Sequence, residues 1–248
     1  MPLPRPLPES LQTFQDAHWQ QNDIGRSQAM VYFTDRWFLK IQPQASPETL
    51  RQDLQALKWL QQHVPVPEVL GHAEQDGQEF LITSRIQGRD LSLLAQEDRE
   101  KAVMHFARGL RLWHGQPTQD CPLDRSLDFR LVEARQRLEQ GQIALEAFTD
   151  ESPEDVLNWL HNNKPDEDLV LTHGDYCFPN VLVDQDRICG FVDVGRAGIS
   201  DRYTDLTLAL WSTEYNCGSG WKHVFLQAYG HDLDQEKLHY YSLLDRFS

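Results

Sequence analysis

The sequence predicts an α+β protein of two lobes, a small N-terminal antiparallel β lobe with one long helix followed by a larger α-rich C-terminal lobe. Three observations carry this. Up to residue 85, short strand-like runs alternate with hairpin-length turns. From Leu91 onward the apolar residues recur at helical spacing. Between the two regimes lies Ser84–Asp90, where Gly88 lends the backbone freedom. The lobes are therefore expected at 1–85 and 86–248.

Taken in order, residues 10–20 read as a short amphipathic helix, and Asn22 to Ser27 as a turn-rich stretch. Residues 29–33 and 37–41 read as strands joined by the hairpin turn Thr34-Asp35-Arg36. The long helix follows, with Ser46 as N-cap, Pro47 in the first turn, and Leu50, Leu54, Leu57 and Leu60 on a buried face. Residues 68–72 and 79–83 read as further strands. Helices are expected at 97–114, 127–140, 153–163, 202–213, 219–229 and 234–246. The strand from Leu169 runs into a loop at His173. Residues 181–183 and 188–192 form a second hairpin, turned at Asp184 to Arg187.

With 248 residues, 40% of them apolar, the chain can bury a substantial core. No apolar run approaches the ~18 residues of a membrane span. The start, MPLPRPLPES, has prolines where a signal peptide would have an apolar helix. A cytoplasmic location is expected. Cys121, Cys177, Cys189 and Cys217 lie far apart with no CxxC pair, which fits free thiols. The net charge of −15 repels nucleic-acid backbones and anionic membranes and draws a cationic small substrate. The expected assembly is a monomer or weak dimer.

The chemistry concentrates in Thr172-His173-Gly174-Asp175-Tyr176-Cys177-Phe178-Pro179-Asn180, followed by the hairpin and Asp193-Val194-Gly195-Arg196. Singly, each residue is ordinary; an Asp in a loop is usually a turn former. In this order and spacing they resemble a kinase catalytic loop and its metal-binding segment. Asp175 is placed to accept the proton of an acceptor hydroxyl. Asn180 and Asp193 offer the oxygen ligands that Mg²⁺ prefers. His173 is expected to brace the loop. In the first lobe, Gly25 and Ser27 sit in the turn before the first strand, where backbone amides and a hydroxyl can approach phosphates. Lys40 ends a strand-like run, suited to the α- and β-phosphates, and Asp53 lies one turn into the long helix, within reach of Lys40. The first lobe is thus read as nucleotide-binding, and the second as catalytic and substrate-binding.

At these residues the chain resembles the aminoglycoside 3'-phosphotransferases. The strongest stretch is VLTHGDYCFPNVLVDQDRICGFVDVGRAGISDRYTDLTLAL (170–210), supported by VPVPEVL (64–70) and YYSLLDRFS (240–248). The resemblance implies a two-lobed protein-kinase-like fold, ATP with GTP as the alternative donor, two Mg²⁺ ions, and an aminoglycoside acceptor. By position, Asp175 matches the catalytic base, Asn180 and Asp193 the metal ligands, and Lys40 the phosphate-binding lysine. Phe38 matches an aromatic stacked on the adenine, Ser84 and Ile86 the hinge, and Arg196 an arginine near phosphate and substrate. Glu146, Asp150, Glu151, Glu214, Asp245 and the terminal Ser248 fall where the family holds its cationic drugs.

The chain also departs from the pattern. Asp53 replaces a glutamate, so its pair with Lys40 would need a closer helix or a bridging water. Thr149 stands where an acid would help, Arg246 where the family has a glutamate, and Ser248 where it has an aromatic. Trp211 replaces an arginine and Tyr215 an acid. A fructosamine, choline or methylthioribose is the alternative acceptor, which Arg246 and Tyr215 favour.

Overall fold

The computed structural model describes residues 3–22, 29–46, 49–149 and 151–248. Gly25, Ser27, Pro47 and Asp150 lie outside the described residues. The chain forms two compact units. One is Met1–Gly88 with Leu182–Arg196, and the other is Arg89–Val181 with Ala197–Ser248. Residues 182–196, read from sequence with the second lobe, thus group with the first. The Phe191 amide donates to the Pro65 carbonyl (2.8 Å), and the Cys189 thiol lies 3.3 Å from the Gln87 carbonyl. Gly190 sits against Ile86, where an added Cβ would come within 2.3 Å of Cδ1.

The first unit is built on a five-stranded antiparallel sheet in the order β1-β2-β3-β5-β4. Its strands are β1 (Gln20–Asn22), β2 (Met30–Phe33), β3 (Trp37–Pro43), β4 (Val69–Gln75) and β5 (Gln78–Ser84). Alternation along β3 decides what faces where. Leu39 and Ile41 are fully buried in a cluster with Leu11, Trp19, Tyr32 and Phe80, which turns Lys40 to the other face. The Thr34 hydroxyl accepts from the Arg36 and Trp37 amides and tightens the β2–β3 turn. Helix α1 (Leu50–Leu60) begins at Thr49 rather than Ser46. Thr49 and Gln52 cap each other's amides reciprocally, satisfying two donors that Ser46 could not reach.

Residues 10–20 are not an α-helix. A single 3₁₀ stretch, Glu9–Phe14, is followed by β1. Trp19 is buried, and its indole nitrogen donates back to the Phe14 carbonyl (3.0 Å), so the chain reverses and Gln20 pairs with Phe33. Core burial of one large side chain outweighs a weak local helical preference.

The second unit is mainly helical: α2 (Leu91–Glu97), α3 (Arg99–His114), α4 (Leu127–Glu139), α5 (Pro153–Asn162), α6 (Tyr203–Cys217), α7 (Trp221–Tyr229) and α8 (Gln235–Asp245). The two-residue β6 (Arg89–Asp90) and α2 were not foreseen. Asp98 ends α2 and caps α3 by accepting from the Lys101 amide, which explains the break. Helix α3 buries Val103, Phe106, Leu110 and Trp113 completely, as its periodicity predicts. β7 (Leu169–Thr172) pairs antiparallel with β10 (Gly198–Asp201), Thr172 opposite Gly198. The hairpin β8 (Val181–Asp184) and β9 (Arg187–Phe191) lies between them in sequence. The antiparallel register sets the end of β7, which leads into His173–Asp175, beside the start of β10 at Gly198.

Candidate active site

In the first unit the structure gathers three predicted residues. The Lys40 ammonium lies 2.8 Å from Asp193 Oδ1 and 3.2 Å from Asp53 Oδ2. Asp53 reaches the lysine directly, so the expected bridging water is unnecessary. Burial opposes the Lys40 charge, but the two carboxylates, Asp193 ahead of Asp53, outweigh it and raise its pKa above the ordinary lysine value. Because the folded value is raised, this stabilisation is complete below the unfolded lysine pKa of ~10.4. It fades only as pH climbs through the higher folded value. Lys40 is therefore a cation throughout the neutral range.

Asp193 sits in the left-handed region (φ 56°), a conformation short polar side chains tolerate best. Gly195 follows in contact with Asp53. A Cβ there would lie 1.9 Å from Asp53 Oδ1. The glycine is thus required by close approach, and it is what lets the shorter acid sit beside Lys40. Gly195→Ala is expected to displace Asp53 and cut turnover by about 10²-fold, as an ångström of misplacement does elsewhere. Steady-state rates of the two proteins, with thermal melts to show that the fold survives, check this.

In the second unit, the loop after β7 is held from several sides. Asp205 is fully buried and accepts from the His173 and Gly174 amides, both at 2.8 Å, and from His114 Nε2 at 3.1 Å. Gly174 has φ 82°, which a side chain would resist. His173 is buried, and its Nδ1 accepts from the Asp175 amide at 3.2 Å, which is the bracing expected of it. The Tyr176 hydroxyl donates to the Phe106 carbonyl (2.7 Å), and the Phe178 amide donates to Ser212 Oγ (3.0 Å). Burial pushes the Tyr176 phenol well above its ordinary pKa, so it stays a donor.

Asn180 Nδ2 donates at 2.9 Å to both the Asp175 carbonyl and Asp175 Oδ2. One interaction fixes the Asp175 rotamer and leaves Asn180 Oδ1 as the amide atom open to a hard cation. A carboxylate held this way, with its second oxygen uncommitted to Asn180, suits it to receive a proton from an incoming hydroxyl.

The remaining predicted residues are placed as follows. Phe38 is half-buried beside Phe33 (centroids 6.1 Å apart), and the Arg85 guanidinium lies over both rings. The Ser84 amide donates to the Glu68 carbonyl, while among the described residues the Ile86 amide donates to nothing. Arg196 is half-buried at the end of the first unit. Glu146 and Glu151 are exposed. The Ser248 amide donates to the Asp245 carbonyl (3.0 Å) at the end of α8. Glu214 is ion-paired with Lys222, so a bound amine would have to compete for it.

Sequence reasoning missed Asp201, Asp205, His114 and Ser212. Asp201 is fully buried and accepts from the Asp168 and Tyr203 amides and from Lys237. The signal for the two acids was present: both lie in the GISDRYTD run, four residues apart where a strand turns into a helix. His114 and Ser212 carry no local signal, since their partners are distant in sequence.

The chain matches the family model described as the phosphotransferase enzyme family over residues 18–241. An aminoglycoside 3'-phosphotransferase of Niallia circulans is 38% identical over 238 residues, 91% of each chain. The chain belongs to the aminoglycoside 3'-phosphotransferase family. Another member, from Streptomyces fradiae, is 35% identical over 254 residues, covering 92% of this chain and 94% of its own. The crystal structure of an aminoglycoside-3'-phosphotransferase of type VIII superposes with a TM-score of 0.83 at 28% identity, over 96% of this chain and 98% of that one. An aminoglycoside phosphotransferase from Streptomyces rimosus gives 0.84 at 25% identity, over 96% and 95%. The α+β fold is the kinase-like one of these phosphotransferases, and the chain is a phosphotransferase enzyme.

Proposed function

We propose that this enzyme transfers the γ-phosphoryl group of ATP, or alternatively GTP, to the 3'-hydroxyl of an aminoglycoside. The observation that carries this reading is the Asp175 carboxylate, held by Asn180 on a loop anchored by Asp205. The names of the relatives point to the same acceptor. The acceptor hydroxyl gives its proton to Asp175 as its oxygen forms the new bond to phosphorus. The bond from phosphorus to the β–γ bridging oxygen breaks, and ADP leaves with that electron pair. Lys40 is the cation for the α- and β-phosphates. Phe38 faces the adenine, with the Ser84 and Ile86 backbone at its edge; the Ile86 amide has a donor to give. Arg196 serves the phosphate and substrate.

Asn180 Oδ1 and the Asp193 carboxylate are the oxygen donors that fit Mg²⁺, and the ion when bound would neutralise phosphate charge. Exposed Glu146 and Glu151, with Glu214, Asp245 and Ser248, supply acceptors for the drug's ammonium groups. The net charge of −15 favours such a cation and disfavours nucleic acid. No helix among the described residues is long and apolar enough to cross a membrane. We read the enzyme as a cytoplasmic monomer or weak dimer.

ADP release with Mg-ATP across kanamycin, neomycin, a fructosamine and choline tests the acceptor. Turnover of kanamycin or neomycin is expected. Turnover of a metabolite alone would keep the mechanism and overturn the substrate.

A further inference from the structure

A buried chain of hydrogen bonds runs from the end of α7 to the loop that carries Asp175. Arg202 Nη1 donates to the Tyr229 hydroxyl at 2.9 Å. That hydroxyl lies 2.7 Å from His114 Nδ1, and His114 Nε2 lies 3.1 Å from Asp205 Oδ2. Asp205 in turn accepts from the His173 and Gly174 amides. The links come from distant parts of the sequence. His114 ends α3, Tyr229 ends α7, and Arg202 and Asp205 flank the start of α6. The His114 side chain is 3% exposed and that of Asp205 is wholly buried. The Tyr229 ring stands edge-on to the imidazole, centroids 5.7 Å apart, and lies parallel to Phe225.

The donors and acceptors leave one direction for each link. A guanidinium only donates, so the Tyr229 oxygen is the acceptor from Arg202. A phenol has a single proton. Burial pushes the Tyr229 phenol above its ordinary pKa, against the pull of Arg202 beside it, so the oxygen keeps that proton. Among the described residues the acceptor for it is His114 Nδ1. His114 Nδ1 then carries no proton, and Nε2 carries the one that the Asp205 carboxylate requires. The opposite tautomer would turn a bare nitrogen towards the carboxylate. An imidazolium would leave the buried phenol proton unpaired. With a neutral His114 beside it, Asp205 keeps its full negative charge, and its charge-assisted bonds to the two loop amides are the stronger for it.

We propose that Tyr229 and His114 are positioning residues for phosphoryl transfer. The Tyr229 hydroxyl holds His114 as the neutral Nε2–H tautomer. That N–H fixes the Asp205 carboxylate on the His173 and Gly174 amides, and so fixes the placement of Asp175. For its effect on rate the inference rests on the phosphoryl-transfer reading above; for the tautomer it rests on the hydrogen bonds alone. Neither residue takes part in the chemical step.

Two measurements on the intact enzyme test this. The first is nitrogen-15 NMR of histidine-labelled protein at neutral pH, with the His114 signal identified by its loss in His114→Gln. A bare Nδ1 and a protonated Nε2 are expected. A protonated Nδ1, in the other tautomer or in an imidazolium, overturns the proposal whatever the acceptor of the enzyme. The second is ADP release with Mg-ATP and kanamycin, run well below the melting point of each variant. Tyr229→Phe keeps the ring and its packing, and should lower kcat about tenfold with the KM for ATP within about twofold. His114→Gln puts an amide N–H in place of Nε2–H and has no use for the Tyr229 hydroxyl. In that background Tyr229→Phe should cost less than about twofold, a coupling that loss of packing alone does not produce. Equal losses in both backgrounds, or an unchanged kcat in Tyr229→Phe, would overturn the positioning role. If the unaltered enzyme turns over no aminoglycoside, the acceptor reading falls, and the histidine signal still decides the tautomer.

Discussion

Replacing Asp175 by asparagine should abolish phosphoryl transfer while leaving the protein folded and able to bind nucleotide. In the proposed mechanism the substitution removes the proton acceptor and little else. Asparagine fills the same space, and its oxygen can still accept from Asn180 Nδ2, which Asp175 now does at 2.9 Å. The loop is held by other atoms: the Asp175 amide on His173, and the His173 and Gly174 amides on Asp205. Loss of a positioned general base costs roughly 10²–10⁴-fold in rate. A fall in kcat of about 10³-fold is expected, with the KM for ATP changed much less. ADP release under saturating substrates reads the effect. Activity within tenfold of the unaltered enzyme would remove Asp175 from the proton transfer and shift the mechanism towards positioning alone.

Asp205→Ala should do the opposite kind of damage, to structure first and to rate as a consequence. Asp205 has no exposure, and its two oxygens serve three donors: the His173 amide, the Gly174 amide and His114 Nε2. Alanine strands all three. A buried donor without an acceptor costs ~1–3 kcal/mol. For a chain of this size each kcal/mol is ~2–4 °C of melting temperature, so a fall of about 10 °C is expected. The loop would lose its anchor, and turnover measured well below the lowered melting point should still be down by about 10²-fold. Near-normal kcat in a folded Asp205→Ala protein would show that His173 and Asn180 suffice to hold Asp175. Asp205→Asn should be intermediate, because the amide keeps one oxygen acceptor, while its NH2 group takes the place of the other oxygen and faces either the Gly174 amide or the His173 amide and His114.

These two acids differ in how legible they were. Asp175 stands out by its spacing to Asn180 and Asp193, the residue types and order that the proposed phosphoryl transfer would use. Asp205 lies in a run that the resemblance singled out, yet nothing in its neighbours says that it reaches back more than thirty residues to the loop after β7. The contact is made by the first turn of α6, after β10, where Asp205 accepts from the His173 and Gly174 amides. His114 and Ser212 are harder still, being an ordinary helix-end histidine and an ordinary helical serine until the partners appear. The Lys40 site shows the same division. A lysine at the end of a strand and an acid on the next helix could be proposed as a pair. That the shorter Asp53 reaches without a water depends on Gly195, which lets the backbone after Asp193 come into contact with it.

By itself the sequence determined the α+β class, most of the helices and the hairpins, and it singled out Asp175, Asn180, Asp193 and Lys40 as the candidates for the proposed chemistry. Periodic burial and fixed spacing are local properties, and local properties can be read along a chain. Only the tertiary structure decided that residues 9–14 form a 3₁₀ turn, that Leu182–Arg196 groups with Met1–Gly88, and that Asp205 anchors the loop carrying Asp175. Each of these turns on which buried donor finds which acceptor, or on which large side chain fills the core. Such choices are made between residues far apart in sequence, where desolvation and packing outweigh local preference.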